Sequence, residues 1–210
     1  MRKRKYAYTR AIVIVHGKSE LQIVEHIKSN LRISIIPYSE KKGEKSIQIN
    51  GLKNNVLGNT IFKDIDSFIR TYEKVEVIGK GKKRKLNNFK LFIIMDTDDC
   101  SEEEKQNFIN KKMFKNHWMY DYIEPIYNIS NLECVLKRCN IKYNKVEVKK
   151  IRDKDLKSCY VKIFPTDKKY IDDDIKQLIS IRDALKKSEL SNLDEFIDYC
   201  LKVEEERKLT

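Results

Sequence analysis

Asp96, Asp98 and Asp99 follow directly on the apolar run 91–95. A buried strand cannot carry that much charge without partners, so these carboxylates belong at its open end. Gathered carboxylates repel one another, and a hard divalent cation such as Mg²⁺ or Mn²⁺, held by carboxylate oxygens, is the usual relief. Asp99 also has the side chain of a cap for the next helix or turn. A second group follows the apolar run 11–15: His16, Gly17, Lys18, Ser19 and Glu20. Histidine serves as a base near neutral pH or as a ligand. Glu20, in a first helical turn, either binds a cation or complements the helix dipole. A third group, Ser130 to Glu133, has the spacing of a capping box.

The elements that must position these groups are short. Residues 11–15 and 90–95 read as strands covered on both faces, as in a parallel sheet. Leu21, Val24, Ile27 and Leu31 predict a helix over 19–31. Ile61, Phe62, Ile65, Phe68, Ile69 and Tyr72 predict one over 59–72. Segments 33–37, 46–49 and 123–129 are further strand candidates. Ser101 to Glu104 is a capping box, and the helix after Ser130 turns Leu132, Val135, Leu136 and Cys139 inward. Residues 142–169 read as basic and irregular, partly strand. Two amphipathic helices close the chain, one on Ile171, Ile175, Leu178, Ile179 and Leu185, the other on Leu193, Phe196, Ile197, Cys200 and Leu201. Strands alternating with helices predict an α/β fold, a parallel sheet flanked by helices with a helical C-terminal extension. Sites in such sheets lie outside the carboxyl ends of the strands. If strands 11–15 and 90–95 are neighbours, both groups of residues face one crevice.

The 210 residues suit one core, 1–140, with a basic segment and two helices, 141–210, packed on it. A net charge of +12 and 36% charged residues favour a polyanionic partner, nucleic acid before an acidic membrane surface. Lys80, Lys82, Lys83, Arg84 and Lys85 lie in a glycine-containing loop, either flexing over a phosphate backbone or forming a solvated hairpin tip. Arg2, Lys3, Arg4 and Lys5, interleaved with Tyr6 and Tyr8, have the makings of a nucleic-acid arm. Such contacts give salt-dependent, largely sequence-independent affinity. Cys100, Cys134, Cys139, Cys159 and Cys200 are odd in number and lack zinc-type spacing, as expected of reduced thiols in a cytoplasmic protein. The apolar run after the basic start is too short for a signal peptide or a membrane span.

The order of strand, glycine turn with a nearby acid, helix, and later strand ending in Asp-x-Asp resembles the Toprim domain over roughly the first two-thirds of the chain. That domain occurs in primases, topoisomerases, small ribosomal-RNA-processing ribonucleases and overcoming-lysogenisation-defect (OLD) type nucleases. Asp96-Thr97-Asp98 matches the Asp-x-Asp. His16-Gly17-Lys18-Ser19-Glu20 matches the first motif, Glu-Gly-x-x-Asp/Glu, with histidine in place of the first glutamate. Ser130-Asn131-Leu132-Glu133 resembles the later acidic motif of OLD- and RloB-type defence proteins. The resemblance implies a Toprim-like, Rossmann-like sheet and a metal-dependent nuclease of phage defence or RNA processing, acting on DNA or RNA. It implies one or two Mg²⁺ or Mn²⁺ ions on Glu20, Asp96 and Asp98, with Asp99 as a further acid. His16 would be a base and Glu133 a catalytic acid residue, and Lys18 or Lys162 would neutralise phosphate charge. Two rivals stand beside it. A nucleic-acid-binding module that does not cut would account for His16. A nucleotide-sugar transferase also uses Asp-x-Asp, but leaves residues 16–20 and the basic surface unexplained.

Overall fold

The computed structural model describes residues 8–143, 145–166 and 174–209. The basic arm Arg2 to Tyr6 and the inward position Ile171 lie outside the described residues. In chain order the main elements are β1 (Ala11–Val15), α1 (Lys18–Leu31), β2 (Ile35–Tyr38), α2 (Ile65–Thr71), β3 (Val77–Ile78), β4 (Lys85–Leu86) and β5 (Lys90–Asp96). They continue as α3 (Glu102–Ile109), β6 (Ile123–Asn128), α4 (Leu132–Arg138), β7 (Lys142–Tyr143), β8 (Val146–Glu147), α5 (Asp153–Ile163), α6 (Asp174–Leu185) and α7 (Leu193–Leu209).

The main sheet has four strands in the order β2-β1-β5-β6, all parallel. Alternation along β1 and β5 splits the core between its two faces. Val13, Val15, Phe92 and Ile94 pack with apolar residues of α1, α4, α5, α6 and α7. Ile12, Ile14, Leu91, Ile93 and Met95 pack on the other face with Phe62, Phe68, Phe108 and Phe114. Both central strands are therefore apolar at nearly every position. The two prolines of the sheet, Pro37 and Pro125, sit on its edge strands β2 and β6, where a missing N–H is tolerated. The outer edge of β6 is covered by Asn192, which accepts from the Tyr127 N–H at 2.8 Å and donates to the Pro125 carbonyl at 3.0 Å. An unpaired edge is thereby closed by the turn that starts α7.

Several local expectations change. The apolar spacing over 59–72 yields a helix only at Ile65–Thr71. Asn59 Oδ1 instead accepts the N–H groups of Ile61 and Phe62, and Asp64 caps α2 through Ser67 N–H at 2.8 Å. Side chain-to-backbone bonds of this kind compete with the helix ladder. Residues 46–49 form no strand; Ile47 N–H bonds the His16 carbonyl at 2.8 Å. The described part of 142–169 holds the short antiparallel strands β7 and β8 and then a full helix, α5. Ile175 is 36% exposed rather than inward. No helix among the described residues is long and apolar enough to cross a membrane, and the five cysteines are free thiols.

Candidate functional site

β1 and β5 are neighbours, with Val15 opposite Ile94, and β5 pairs Asp96 with Asn128 of β6. The three sequence groups thus emerge side by side from the carboxyl ends of three adjacent strands. Between β1 and β5 the chain's winding reverses, the position where ligands bind in open α/β sheets. A cavity of about 380 Å³ opens there, walled by His16, Lys18, Glu20, Asp96, Asp98 and Glu133 among others.

Asp96 is only 5% exposed. It has the same strand parity as Phe92 and Ile94, so it faces the layer holding α1, α4 and α5. Its Oδ1 accepts from Asn128 Nδ2 at 3.0 Å and from Leu132 N–H at 3.1 Å. Asn128 is oriented in turn by the Ser191 hydroxyl, which donates to Asn128 Oδ1 at 2.9 Å. Burial first, then the charges of Glu20 and Glu133, push the Asp96 carboxyl up to about 8, against the opposing pull of Asn128 and His16. A carboxyl so raised marks a group whose charge lacks a partner.

Glu20 is buried in the first turn of α1, and its Oε2 accepts the Gly17 N–H at 3.0 Å. It therefore closes the start of the helix and lines the cavity at once. Glu133 departs from its capping-box expectation. Asn131 caps α4 through Cys134 N–H, while Glu133 Oε1 accepts the Ser19 hydroxyl at 2.7 Å. His16 is half-buried and its Nδ1 lies 2.9 Å from the Ile47 carbonyl. A carbonyl only accepts, so Nδ1 carries the proton, and in the neutral ring Nε2 carries the lone pair.

Asp98 is exposed at the rim, with Asn131 Nδ2 at 3.5 Å. Asp99 does not join the wall; it accepts from Gln48 Nε2 at 2.8 Å, and Ser101 rather than Asp99 caps α3. Lys18 stands exposed at the mouth. Lys80, Lys82, Lys83, Arg84 and Lys85 are elsewhere. They form the turn of the β3–β4 hairpin, just before the amino end of β5, with Arg84 paired to Asp66. Apart from half-buried Arg84 these basic side chains are exposed, and none of the five lines the cavity. Lys162 is exposed on α5 and does not line it.

Sequence reasoning missed two contributors. Gly43, Glu44 and Ser46 form one wall, with the Gly43 backbone so close to the Gly17–Lys18 turn that an added Cβ would meet Lys18 Cα at 2.9 Å. Tyr160 of α5 forms another. Its inward spacing with Leu156 and Ile163 was present, but hidden in a lysine-rich stretch. Helix α5 is fixed on α1 by Gln22 Nε2, which donates to the Phe164 carbonyl at 2.6 Å, and by His26 Nδ1, which donates to the Pro165 carbonyl at 2.5 Å.

Among the described residues no three His, Cys, Asp or Glu side chains stand arranged to hold a metal ion as they are. The acids share a cavity without converging on one point, as mutually repelling carboxylates do. Their oxygen-only donor set, and a buried Asp96 destabilised by its acidic neighbours, nevertheless fit a hard cation. Compared with known protein families, curated proteins and solved structures, the chain matches none.

Proposed function

We propose that the chain is a Toprim-like, divalent-metal-dependent nuclease, a cytoplasmic enzyme of phage defence or RNA processing that hydrolyses DNA or RNA phosphodiesters. The observation that carries this reading is the gathering of Glu20, Asp96 and Glu133 around one cavity at three adjacent strand ends, with the Asp96 carboxyl raised to about 8 by burial and by the other two acids. Glu20, Asp96 and Asp98 would hold Mg²⁺ or Mn²⁺, which when bound polarises the scissile phosphate as a Lewis acid. Both hydrogen bonds to Asp96 fall on Oδ1, leaving Oδ2 as its oxygen for a cation.

The other roles belong to the chain's own groups. His16 takes the place of the resemblance's first acid, and its Nε2 lone pair can accept the proton of an attacking water. Ser19 fixes the carboxylate of Glu133. Lys18 at the mouth places a positive charge against the phosphate backbone. The net charge of +12 supports a polyanionic substrate.

The test is cleavage of single- and double-stranded DNA and RNA with Mg²⁺ or Mn²⁺. Cleavage that disappears in Asp96→Ala and Asp98→Ala is the expected result. Binding without cleavage under both metals would replace the nuclease by a binding module. Turnover of a nucleotide sugar would sink both.

A further inference from the structure

Tyr160 lines the cavity and is only 3% exposed, yet its buried hydroxyl has no hydrogen-bond partner among the described residues. A buried, unpaired hydroxyl costs about 1–3 kcal/mol. Glu133, Glu20 and Asp96 lie close enough to act on the Tyr160 phenol electrostatically, but none of them accepts its proton. The ring is held from behind. Tyr160 packs against Phe164 with ring centroids 5.7 Å apart, and the Phe164 carbonyl is bonded to Gln22 of α1. The hydroxyl is therefore placed rigidly with its bond unmade, as expected of a group whose partner arrives with the ligand.

We propose that Tyr160 donates a hydrogen bond to a non-bridging phosphate oxygen of the substrate, beside the oxygens that Glu20 and Asp96 would help to bind through the metal. This inference rests on the metal-dependent phosphodiester reading above. Burial first, then the nearby carboxylates, pushes the Tyr160 phenol well above its ordinary value, so it is protonated at neutral pH and a donor, and the neighbouring carboxylates would repel a phosphate that had no such donor facing it. Helix α5 thereby becomes part of the active site: it supplies an anion-facing group to the cavity that Lys18 also lines. Among the described residues the cavity wall contains no other aromatic side chain apart from His16, so it offers the phosphate a donor and offers a base little stacking surface. Recognition at this point is of backbone phosphate rather than base identity.

The test uses Tyr160→Phe, which keeps the ring and its packing. Calorimetry first measures Mn²⁺ binding to wild type and variant, then inorganic phosphate binding to each Mn²⁺-loaded protein. The expected result is equal Mn²⁺ affinity, an unchanged or raised melting temperature, and phosphate affinity at least tenfold weaker in the variant. Equal phosphate affinity in the two proteins overturns the inference alone and assigns the hydroxyl to an ordered water. A melting temperature lowered in Tyr160→Phe overturns it too, by giving the hydroxyl a structural partner. Failure of the wild type to bind Mn²⁺ overturns the metal reading and this inference with it.

Discussion

Ser19 donates its hydroxyl to Glu133 at 2.7 Å, joining positions 114 residues apart in the chain. The bond ties the first turn of α1 to the first turn of α4, and it draws Glu133 away from the helix cap that its spacing from Ser130 suggested. Ser19→Ala leaves that carboxylate one donor short. We expect cleavage to fall severalfold, with a stability change of about 1 kcal/mol or less because the pair is only part-buried. Ser19→Thr, which keeps the hydroxyl, should retain most activity. Rates and melting temperatures of the two variants, measured side by side, separate orientation from folding.

Asp96 makes stability depend on pH. Its carboxyl is raised from 3.8 to about 8 in the folded chain, so the folded state keeps a proton that the unfolded state releases. Metal-free stability should therefore fall as pH rises between those values and level off above the upper one. Asp96→Asn keeps an acceptor for Asn128 and for the Leu132 N–H but carries no charge. It should flatten that slope and raise the metal-free melting temperature at neutral pH, by roughly 2–4 °C for each kcal/mol relieved, while abolishing cleavage. Melts in EDTA across the window check this; a variant with the wild-type slope contradicts it.

The central strands were legible because burial on both faces leaves almost no polar position: 11–15 and 90–95 read as strands and are strands. The neighbouring placement of β1 and β5, on which the shared crevice depends, is a matter of topology that spacing alone left conditional. Apolar periodicity reports burial before it reports helix, which is why Ile61 and Phe62 were read into a helix although Asn59 holds them in a turn. Within the site, Asp96 and Glu20 were legible from their place after apolar runs. Asn128 and Ser191 were not, since their role is to orient another side chain across the sheet. Tyr160 was lost among lysines that dilute the polarity contrast along α5.

The two glycines nearest the cavity should respond oppositely to alanine. At Gly17 an added Cβ meets only ordinary contacts, Glu20 Oε2 at 3.5 Å and Ser46 Oγ at 3.6 Å, so Gly17→Ala should fold normally. Gly43 has φ +83° and its added Cβ would strike the backbone of Lys18 at 2.9 Å. Gly43→Ala should cost about 1–3 kcal/mol and displace the wall built by Gly43, Glu44 and Ser46. Denaturant melts of the two variants decide it; equal stability would contradict the close approach.

Basic residues at the cavity and away from it should differ in the same way. Lys18→Ala, at the cavity mouth, should weaken binding of a short oligonucleotide and lower the salt dependence of its affinity by about one unit of slope. Lys82→Ala with Lys83→Ala, in the β3–β4 turn, should leave that slope unchanged for an oligonucleotide only long enough to cover the cavity. A slope that falls in the hairpin variant and not in Lys18→Ala would place the nucleic acid on the hairpin rather than at the cavity.

The most direct measurement is a crystal structure of the protein soaked in Mn²⁺, read by anomalous scattering. The account predicts a peak in the cavity beyond β1, β5 and β6, within coordination distance of Glu20, Asp96 and Asp98. A peak held by other residues, or no peak in this cavity at saturating Mn²⁺, contradicts it.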